Sequence, residues 1–347
     1  IEHNKTQEQK EMKRAFQSIF LKTFFILTLF SLGACGGIKL NYEKKKVTFN
    51  DIDYGFPVKT VDLGERFGKV AYVDEGSGDI TVIFLHGLGV YLKYFYHQIK
   101  YLKDHYRVIA LDFPGLGKSE NNPDINYRMP VHIAAVIQFI QSLKLKNLVI
   151  IGHSYGGGVA IGVSNMARSL MKKLVLIAPL GLQKFKQATI NYMSANYNQI
   201  LEQTTEVDYN LDNFIQRWHS YHVKNRTQLT DEYLKEYLGL IYSREIDKVY
   251  ATRKKILRHS YSQTGNTVLL NSFLQFQFPV LVISGKQDNA IPIPEAPDWS
   301  RQDVTEFYKN VIKQNTNATL KLIDNCGHMP VIEYPDLVNQ YIHEFIK

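Results

Sequence analysis

The chain has 347 residues, 45% of them apolar, and no internal repeat, which suits one large α/β domain or such a domain carrying an insertion. Its formal charge is +8, but basic and acidic residues interleave, and the longest basic run, Lys44-Lys45-Lys46, is too short to argue for nucleic acid. Two cysteines, Cys35 and Cys326, are too few for a disulfide framework.

Residues 1–11 precede the first methionine and are set aside as an upstream extension. From Met12 to Ala34 the chain begins basic, turns apolar from Phe24 and ends in small residues, the pattern of a secretory signal. The apolar block holds about a dozen residues where a helix needs ~20 to span a bilayer, so cleavage is expected rather than a permanent span. Leu32-Gly33-Ala34-Cys35 resembles the lipobox of bacterial lipoproteins. That resemblance implies a lipid on Cys35, loss of residues 1–34, a polar tether over 35–50, and a chain anchored by lipid to a membrane of the bacterial cell envelope. In a Gram-negative cell this would be the outer membrane or periplasm.

Downstream, short β-rich blocks occur at 69–73, 81–85, 107–111, 147–151, 173–177, 280–284 and 319–323, and most read as apolar runs, the look of strands buried on both faces of a mostly parallel sheet. Helical stretches near 91–104, 130–144, 155–168, 303–314 and 335–346 alternate with them, which predicts a doubly wound α/β sheet. From 183 to 272 no strand-like run occurs. Spacings such as Phe214, Trp218 and Tyr221, or Leu234, Leu238 and Ile241, suit amphipathic helices, and Thr230 before Asp231 and Glu232 reads as an N-cap. The expected organisation is a core at 51–182 and 273–347 interrupted by a helical cap at 183–272, with Trp218 among the residues covering the site.

Gly152-His153-Ser154-Tyr155-Gly156 lies between a buried strand and a helix, where the G-x-S-x-G nucleophile elbow places its serine. A side chain at Gly152 or Gly156 would collide with the neighbouring strand and helix, and Ser154 would occupy a strained turn. The amide of Tyr155, at the helix start, can face a developing oxyanion. The amide of Leu88, in His86-Gly87-Leu88-Gly89 after the strand ending at Leu85, is the candidate second donor. His153 reads as a packing or hydrogen-bonding residue turned away from the site, and Cys326 as a small buried hydrophobe. Asp112 and Asp288 both follow strands, so position alone leaves either able to serve as an acid partner. The Phe-Pro-Gly-Leu-Gly run after Asp112 suits an aspartate that caps local amides.

With these motifs in order, the chain from about 58 to 346 resembles the capped esterase and lipase branch of the α/β-hydrolase fold superfamily. Leu111-Asp-Phe-Pro-Gly-Leu-Gly-Lys-Ser119 is similar to the family's D-x-P-G-x-G-x-S turn, Gly285-Lys-Gln-Asp288 to its acid loop, and Asn325-Cys-Gly-His328-Met-Pro330 to its histidine loop. The resemblance implies a Ser154, Asp288, His328 triad acting on a small-molecule or lipid acyl ester. A serine in the elbow argues against the dehalogenase and epoxide hydrolase relatives, which attack with aspartate, and the proline-iminopeptidase signature after His86-Gly87 is missing. Carbon–carbon bond hydrolases of the same fold and a non-catalytic binding lipoprotein remain open. No phosphate loop and no His/Cys/Asp grouping at ligand spacing occurs, so no cofactor or metal is expected. Oligomeric state has no signature.

Overall fold

The computed structural model describes residues 46–196, 211–260, 263–293 and 302–347. The expected signal segment and Cys35 lie outside the described residues, as does most of the tether.

Each β-rich block forms a strand: β2 (Lys69–Glu75), β3 (Thr81–Leu85), β4 (Arg107–Leu111), β5 (Leu148–His153), β6 (Met171–Ile177), β7 (Val280–Gly285) and β8 (Ala318–Ile323). A further strand, β1 (Lys59–Asp62), precedes them. The sheet has eight strands in the order β1-β2-β4-β3-β5-β6-β7-β8. Pairings from β4 through β8 are parallel, whereas β1 with β2 and β2 with β4 are antiparallel. Every residue of β3, β5 and β7 is buried, as strands covered on both faces require. β1, at the edge, is mostly exposed, which is why Lys59-Thr-Val-Asp62 carries no apolar run.

The helices are α1 (Tyr96–Leu102), α2 (Met129–Ser142), α3 (Tyr155–Met166), α4 (Gln187–Ala195), α5 (Leu211–Arg217), α6 (Gln228–Tyr242), α7 (Ile246–Ser260), α8 (Gln263–Leu274), α9 (Val304–Ile312), α10 (Pro330–Glu333) and α11 (Pro335–Ile346). Around the sheet α1 packs on α11, α2 on α3 and α3 on α8. The described residues between β6 and β7 contain helix and no strand.

Two local expectations for this insertion are corrected. Thr227, not Thr230, caps α6: its hydroxyl accepts from the Thr230 amide at 3.2 Å, and the Thr230 hydroxyl accepts from the Thr227 amide at 2.9 Å. The two threonines form a reciprocal capping box, so the helix starts one turn earlier and Thr230 is its third residue. Tyr221 is 37% exposed while Phe214 and Trp218 are buried. Residues Trp218–His222 form a π-helical turn, whose wider winding takes Tyr221 off the face that a 3.6-residue period assigns to it. Leu234, Leu238 and Ile241 are buried as expected.

The insertion is tied to the sheet domain by polar contacts. Glu236 on α6 receives the Lys93 ammonium and the Tyr91 hydroxyl, and the Tyr233 hydroxyl donates to the Lys93 carbonyl at 3.0 Å. Gln183 exchanges two hydrogen bonds with the Ile293 backbone, at 2.7 and 2.8 Å.

Loops at the carboxyl edge of the sheet are pinned by buried polar side chains. Asp112 accepts from the amides of Leu92 and Lys118, both at 2.8 Å, and from the Tyr54 hydroxyl at 2.7 Å. Burial pushes its carboxyl up to about 6, and the three donors hold it down against that. His86 accepts from the Phe113 amide through Nε2 at 3.1 Å, which leaves the proton on Nδ1 to reach the Gly87 carbonyl at 2.7 Å. Its Nε2 stands 4.0 Å from Asp112, but burial drives the imidazole down to about 3, so the two do not form an ion pair. His132 bridges the Pro114 carbonyl at 3.0 Å and the Tyr155 hydroxyl at 2.8 Å, and burial lowers it to about 4.

These histidines stay neutral in the folded chain below their ordinary value of 6.5. Between about pH 4 and 6.5 the unfolded chain therefore binds more protons, and their contribution, complete above 6.5, is lost as pH falls at about 1.4 kcal/mol per unit per group. At pH 5.5, His132→Gln should lower the proton uptake on unfolding by about 0.9, read by calorimetry in buffers of different ionisation enthalpy. An unchanged uptake would mean that His132 titrates alike in both states.

Candidate active site

β5 ends at His153 and α3 begins at Tyr155, leaving Ser154 alone in the turn with φ 53° and ψ −119°. Such a backbone is strained for a residue with a side chain. Three hydrogen bonds, each 2.9 Å, hold it there: the Ser154 amide donates to the Ile177 carbonyl, and the Ser154 carbonyl accepts from Gly157 and Leu180. A Cβ at Gly152 would lie 2.3 Å from the Gly156 carbonyl oxygen, and one at Gly156 would lie 2.1 Å from that of Leu85. Both contacts are with backbone, so neither glycine can be replaced without moving a strand or the helix.

The Ser154 hydroxyl meets His328 Nε2 at 2.9 Å, and His328 Nδ1 meets Asp288 Oδ2 at 2.9 Å. The other Asp288 oxygen accepts from the amides of Ala290 at 2.7 Å and Ile291 at 3.0 Å. An aspartate acceptor places the imidazole proton on Nδ1, which leaves Nε2 free to receive the hydroxyl proton of Ser154. Asp288 and His328 are buried, at 1% and 5% exposure, and Ser154 is half-buried. The turn after β5, the loop after β7 and the loop after β8 thus converge at one sheet edge. Asp112 is hydrogen-bonded instead to Leu92, Lys118 and Tyr54, as described above.

Leu85 and Gly152 are register partners on β3 and β5, so the His86–Gly89 segment leaves the sheet beside the elbow. A Cβ on Gly87 would come within 3.3 Å of Ser154 Cβ. Tyr155 points its buried side chain toward His132, while its amide lies in the first turn of α3, where no carbonyl of the helix can reach it. The amides of Leu88 and Tyr155 therefore belong to the two segments that flank Ser154.

His153 is a hydrogen-bonding residue, but it is not turned away from the histidine loop. Its Nε2 donates to the His328 carbonyl at 2.8 Å, and the two rings lie 5.1 Å apart. Burial and the neighbouring His328 lower it to about 3, which keeps it neutral. Cys326 is fully buried, and burial together with nearby Glu333 pushes its thiol far up, consistent with a small packed side chain rather than a reactive thiolate.

Two contributors had no sequence signal. The His222 carbonyl, in the π-helical turn, accepts from the His328 amide at 2.8 Å. The Glu333 carboxylate accepts from Gly327 at 3.0 Å and Met329 at 3.1 Å, on either side of His328. A π-turn leaves no mark in a hydrophobic pattern, and Glu333 reads as an ordinary helix residue five positions after the histidine. Trp218 lies 3% exposed beside Phe214 and His222, so packing is part of its role. A cavity of 690 Å³ between the 115–123 turn and α7, lined among others by Lys118, Asn121 and Lys255, does not include Ser154, Asp288 or His328 in its walls.

The chain is similar to a "Putative esterase/lipase 2" of Mycoplasma pneumoniae, 24% identical over 265 residues that cover 76% of this chain and 88% of that protein. It is 26% identical over 283 residues to a 2-hydroxy-6-oxo-6-(2'-aminophenyl)hexa-2,4-dienoic acid hydrolase of Metapseudomonas resinovorans, covering 77% of this chain and 84% of the relative. The crystal structure of a probable hydrolytic enzyme from Pseudomonas aeruginosa PAO1 matches the fold with a TM-score of 0.71 at 19% identity, over 88% of this chain and 100% of that one. The family described as alpha/beta hydrolase fold matches residues 80–335. With that span, the eight-stranded sheet and the serine turn after β5, the chain belongs to the alpha/beta hydrolase fold family and is an enzyme of hydrolase type.

Proposed function

We propose that the protein hydrolyses carboxylic esters through an acyl-enzyme intermediate, with Ser154 as nucleophile, His328 as general base and acid, and Asp288 as the group that orients and stabilises the imidazole. The observation that carries this reading is the continuous line from Ser154 Oγ through the His328 ring to Asp288, with both hydrogen bonds at 2.9 Å. Oγ attacks the acyl carbon while its proton passes to His328 Nε2, and the amides of Tyr155 and Leu88 donate hydrogen bonds to the oxyanion. Collapse of the tetrahedral intermediate expels the alcohol, which takes the proton from His328. Water, activated by the same nitrogen, then releases the acid and restores Ser154.

The esterase/lipase-named relative supports an ester as substrate. The dienoic acid hydrolase relative supports a second reading, in which the same serine site serves cleavage of a carbon–carbon bond in a ring-opened dienone. A panel of p-nitrophenyl esters from short to long chains, run beside a triglyceride emulsion and a ring-cleavage dienone, separates the two. Turnover of the dienone alone would overturn the ester reading.

The helices between β6 and β7 act in this proposal as a cap over Ser154 that selects the acyl group. The lipobox-like Leu32–Cys35 segment supports lipid anchoring at Cys35, which would hold the site close to membrane esters in the bacterial envelope. No helix among the described residues is long and apolar enough to cross a membrane.

Ser154→Ala should abolish ester hydrolysis and labelling by a fluorophosphonate probe while unfolding stability stays within about 1 kcal/mol. Retained turnover would remove Ser154 from the chemistry. For the aspartates, Asp288→Asn should lower kcat by about 10³-fold or more, because an amide that keeps the Ala290 and Ile291 bonds turns its NH2 toward His328 and favours the wrong tautomer. Asp112→Asn should keep most of kcat and cost about 1–3 kcal/mol of stability, since its NH2 would face N–H donors. Kinetics and melting curves of both variants check this assignment, and the reverse pattern would exchange the roles. Fatty-acid labelling of the expressed protein should be lost in Cys35→Ser; equal labelling of both proteins would rule out Cys35 as the lipid site.

A further inference from the structure

Glu333 is 2% exposed, yet the hydrogen-bond partners of its carboxylate are all donors. Oε1 accepts from the amides of Gly327 at 3.0 Å and Met329 at 3.1 Å, with the Cys326 thiol at 3.7 Å. Oε2 accepts from the amides of Lys224 at 2.7 Å, Asn225 at 2.9 Å and Gly327 at 3.0 Å. The Asn225 side-chain amide adds a bond to the Glu333 carbonyl at 2.8 Å. One carboxylate therefore binds two backbone segments distant in sequence: the exit of the π-helical turn in the insertion, and the loop that carries His328.

The three consecutive amides of that loop are all accounted for. Those of Gly327 and Met329 point to Glu333, and that of His328 points to the His222 carbonyl at 2.8 Å. Both acceptors reach back to the insertion, since His222 belongs to it and Glu333 is bonded to it. Gly327 fits this junction closely, because a Cβ there would lie 2.6 Å from the His222 oxygen and 3.2 Å from Glu333 Oε1.

Resting on the reading of His328 as the general base, we propose that Glu333 is a positioning residue for it. By clamping residues 327–329 to residues 224–225, the carboxylate makes the placement of the imidazole depend on the seating of the helical insertion. Burial raises its carboxyl above the usual carboxylate range while the backbone amides of Asn225, Gly327, Lys224 and Met329 lower it. A carboxylate accepts at both oxygens, and this geometry uses both. Glutamine has the same size but one acceptor: its NH2 must face either the histidine loop or residues 224–225, so one side of the clamp opens.

The test compares the full chain with Glu333→Gln on p-nitrophenyl butyrate, well below the melting temperature of each protein, with Ser154→Ala as the control for the underlying reading. Glu333→Gln should lower kcat by about 10-fold or more with KM changed less than ~3-fold, because the loss falls on geometry at the reacting atoms rather than on binding. The low-field NMR resonance of the proton between His328 Nδ1 and Asp288 should broaden or shift in the same variant. A lower melting temperature with wild-type kcat and an unchanged resonance would reduce Glu333 to packing and overturn the proposal. If Glu333→Gln does not fold, Glu333→Asp carries the same readouts: it keeps the charge but is too short to reach both segments, and wild-type kcat with an unchanged resonance would again overturn it. Activity surviving in Ser154→Ala would sink the serine mechanism itself, an outcome distinct from failure of the clamp alone.

Discussion

Ser154 occupies a backbone conformation, φ 53° and ψ −119°, that a residue with a side chain adopts only under constraint. Strain of this kind costs on the order of 1–3 kcal/mol and persists only where the surroundings over-determine it. Here the surroundings are the sheet and α3. The Ser154 amide is held by the end of β6 and its carbonyl by Gly157 and Leu180, while Gly152 and Gly156 let strand and helix close to distances that any Cβ would forbid. The parallel register of β3, β5 and β6 then brings the segment after Leu85 and the segment after Ile177 to the two sides of the turn. A serine presented in this way owes its position to the sheet rather than to a flexible loop, and so its partners must come to it.

His328 comes to it from the loop after β8, and its backbone is fixed on both sides. His153, the residue before the serine, donates to the His328 carbonyl, so the elbow directly holds the loop that carries its partner. The His328 amide is taken by His222 in the insertion. The histidine is thus suspended between the sheet domain and the helices that interrupt it, and a rearrangement of the π-helical turn at Trp218–His222 would be felt at the imidazole without any change in the sheet. π-turns recur at functional sites because the extra residue re-aims backbone groups that a regular helix keeps to itself; here the group re-aimed is the His222 carbonyl.

The parts of this arrangement that were legible in the sequence are those written in local pattern. The inner strands read as apolar runs because both faces of the sheet are covered there, whereas β8, at the far edge, alternates between half-buried and exposed residues; Ser154, Asp288 and His328 each sit in a short motif shortly after one of the strands. β1 was invisible because its residues face solvent. The start of α6 was misplaced because Thr227 and Thr230 both have capping chemistry, and only their reciprocal hydrogen bonds tell which leads. Tyr221 was assigned to a buried face because periodicity assumes 3.6 residues per turn, an assumption that fails across a π-helix. His222 and Glu333 were missed for a different reason. The first contributes a carbonyl, which every residue has, and the second joins amides of its own loop to two others more than 100 positions away, so neither has a residue type in a pattern for a reader to find.

Asp112, Asp288 and Glu333 show how far partners, rather than burial, divide the roles of similar groups. All three carboxyls are at most 2% exposed, a position that costs several kcal/mol unless donors compensate. Asp112 commits both oxygens to two amides and a tyrosine hydroxyl, and Glu333 commits both to amides and a thiol. His86, although 4.0 Å from Asp112, accepts from the Phe113 amide at its own Nε2 and stays neutral. None of these donors gains or loses a proton near neutral pH, so both carboxylates can only hold structure. Asp288 is arranged otherwise: one oxygen is fixed by the amides of Ala290 and Ile291, and the second faces His328 Nδ1. Its partner is an imidazole that acquires a positive charge whenever Nε2 takes a proton, and a carboxylate already in place stabilises that charge without reorganising. Under the proposed mechanism this asymmetry, one oxygen anchored to backbone and one to a titratable ring, is what separates the chemical carboxylate from the two structural ones.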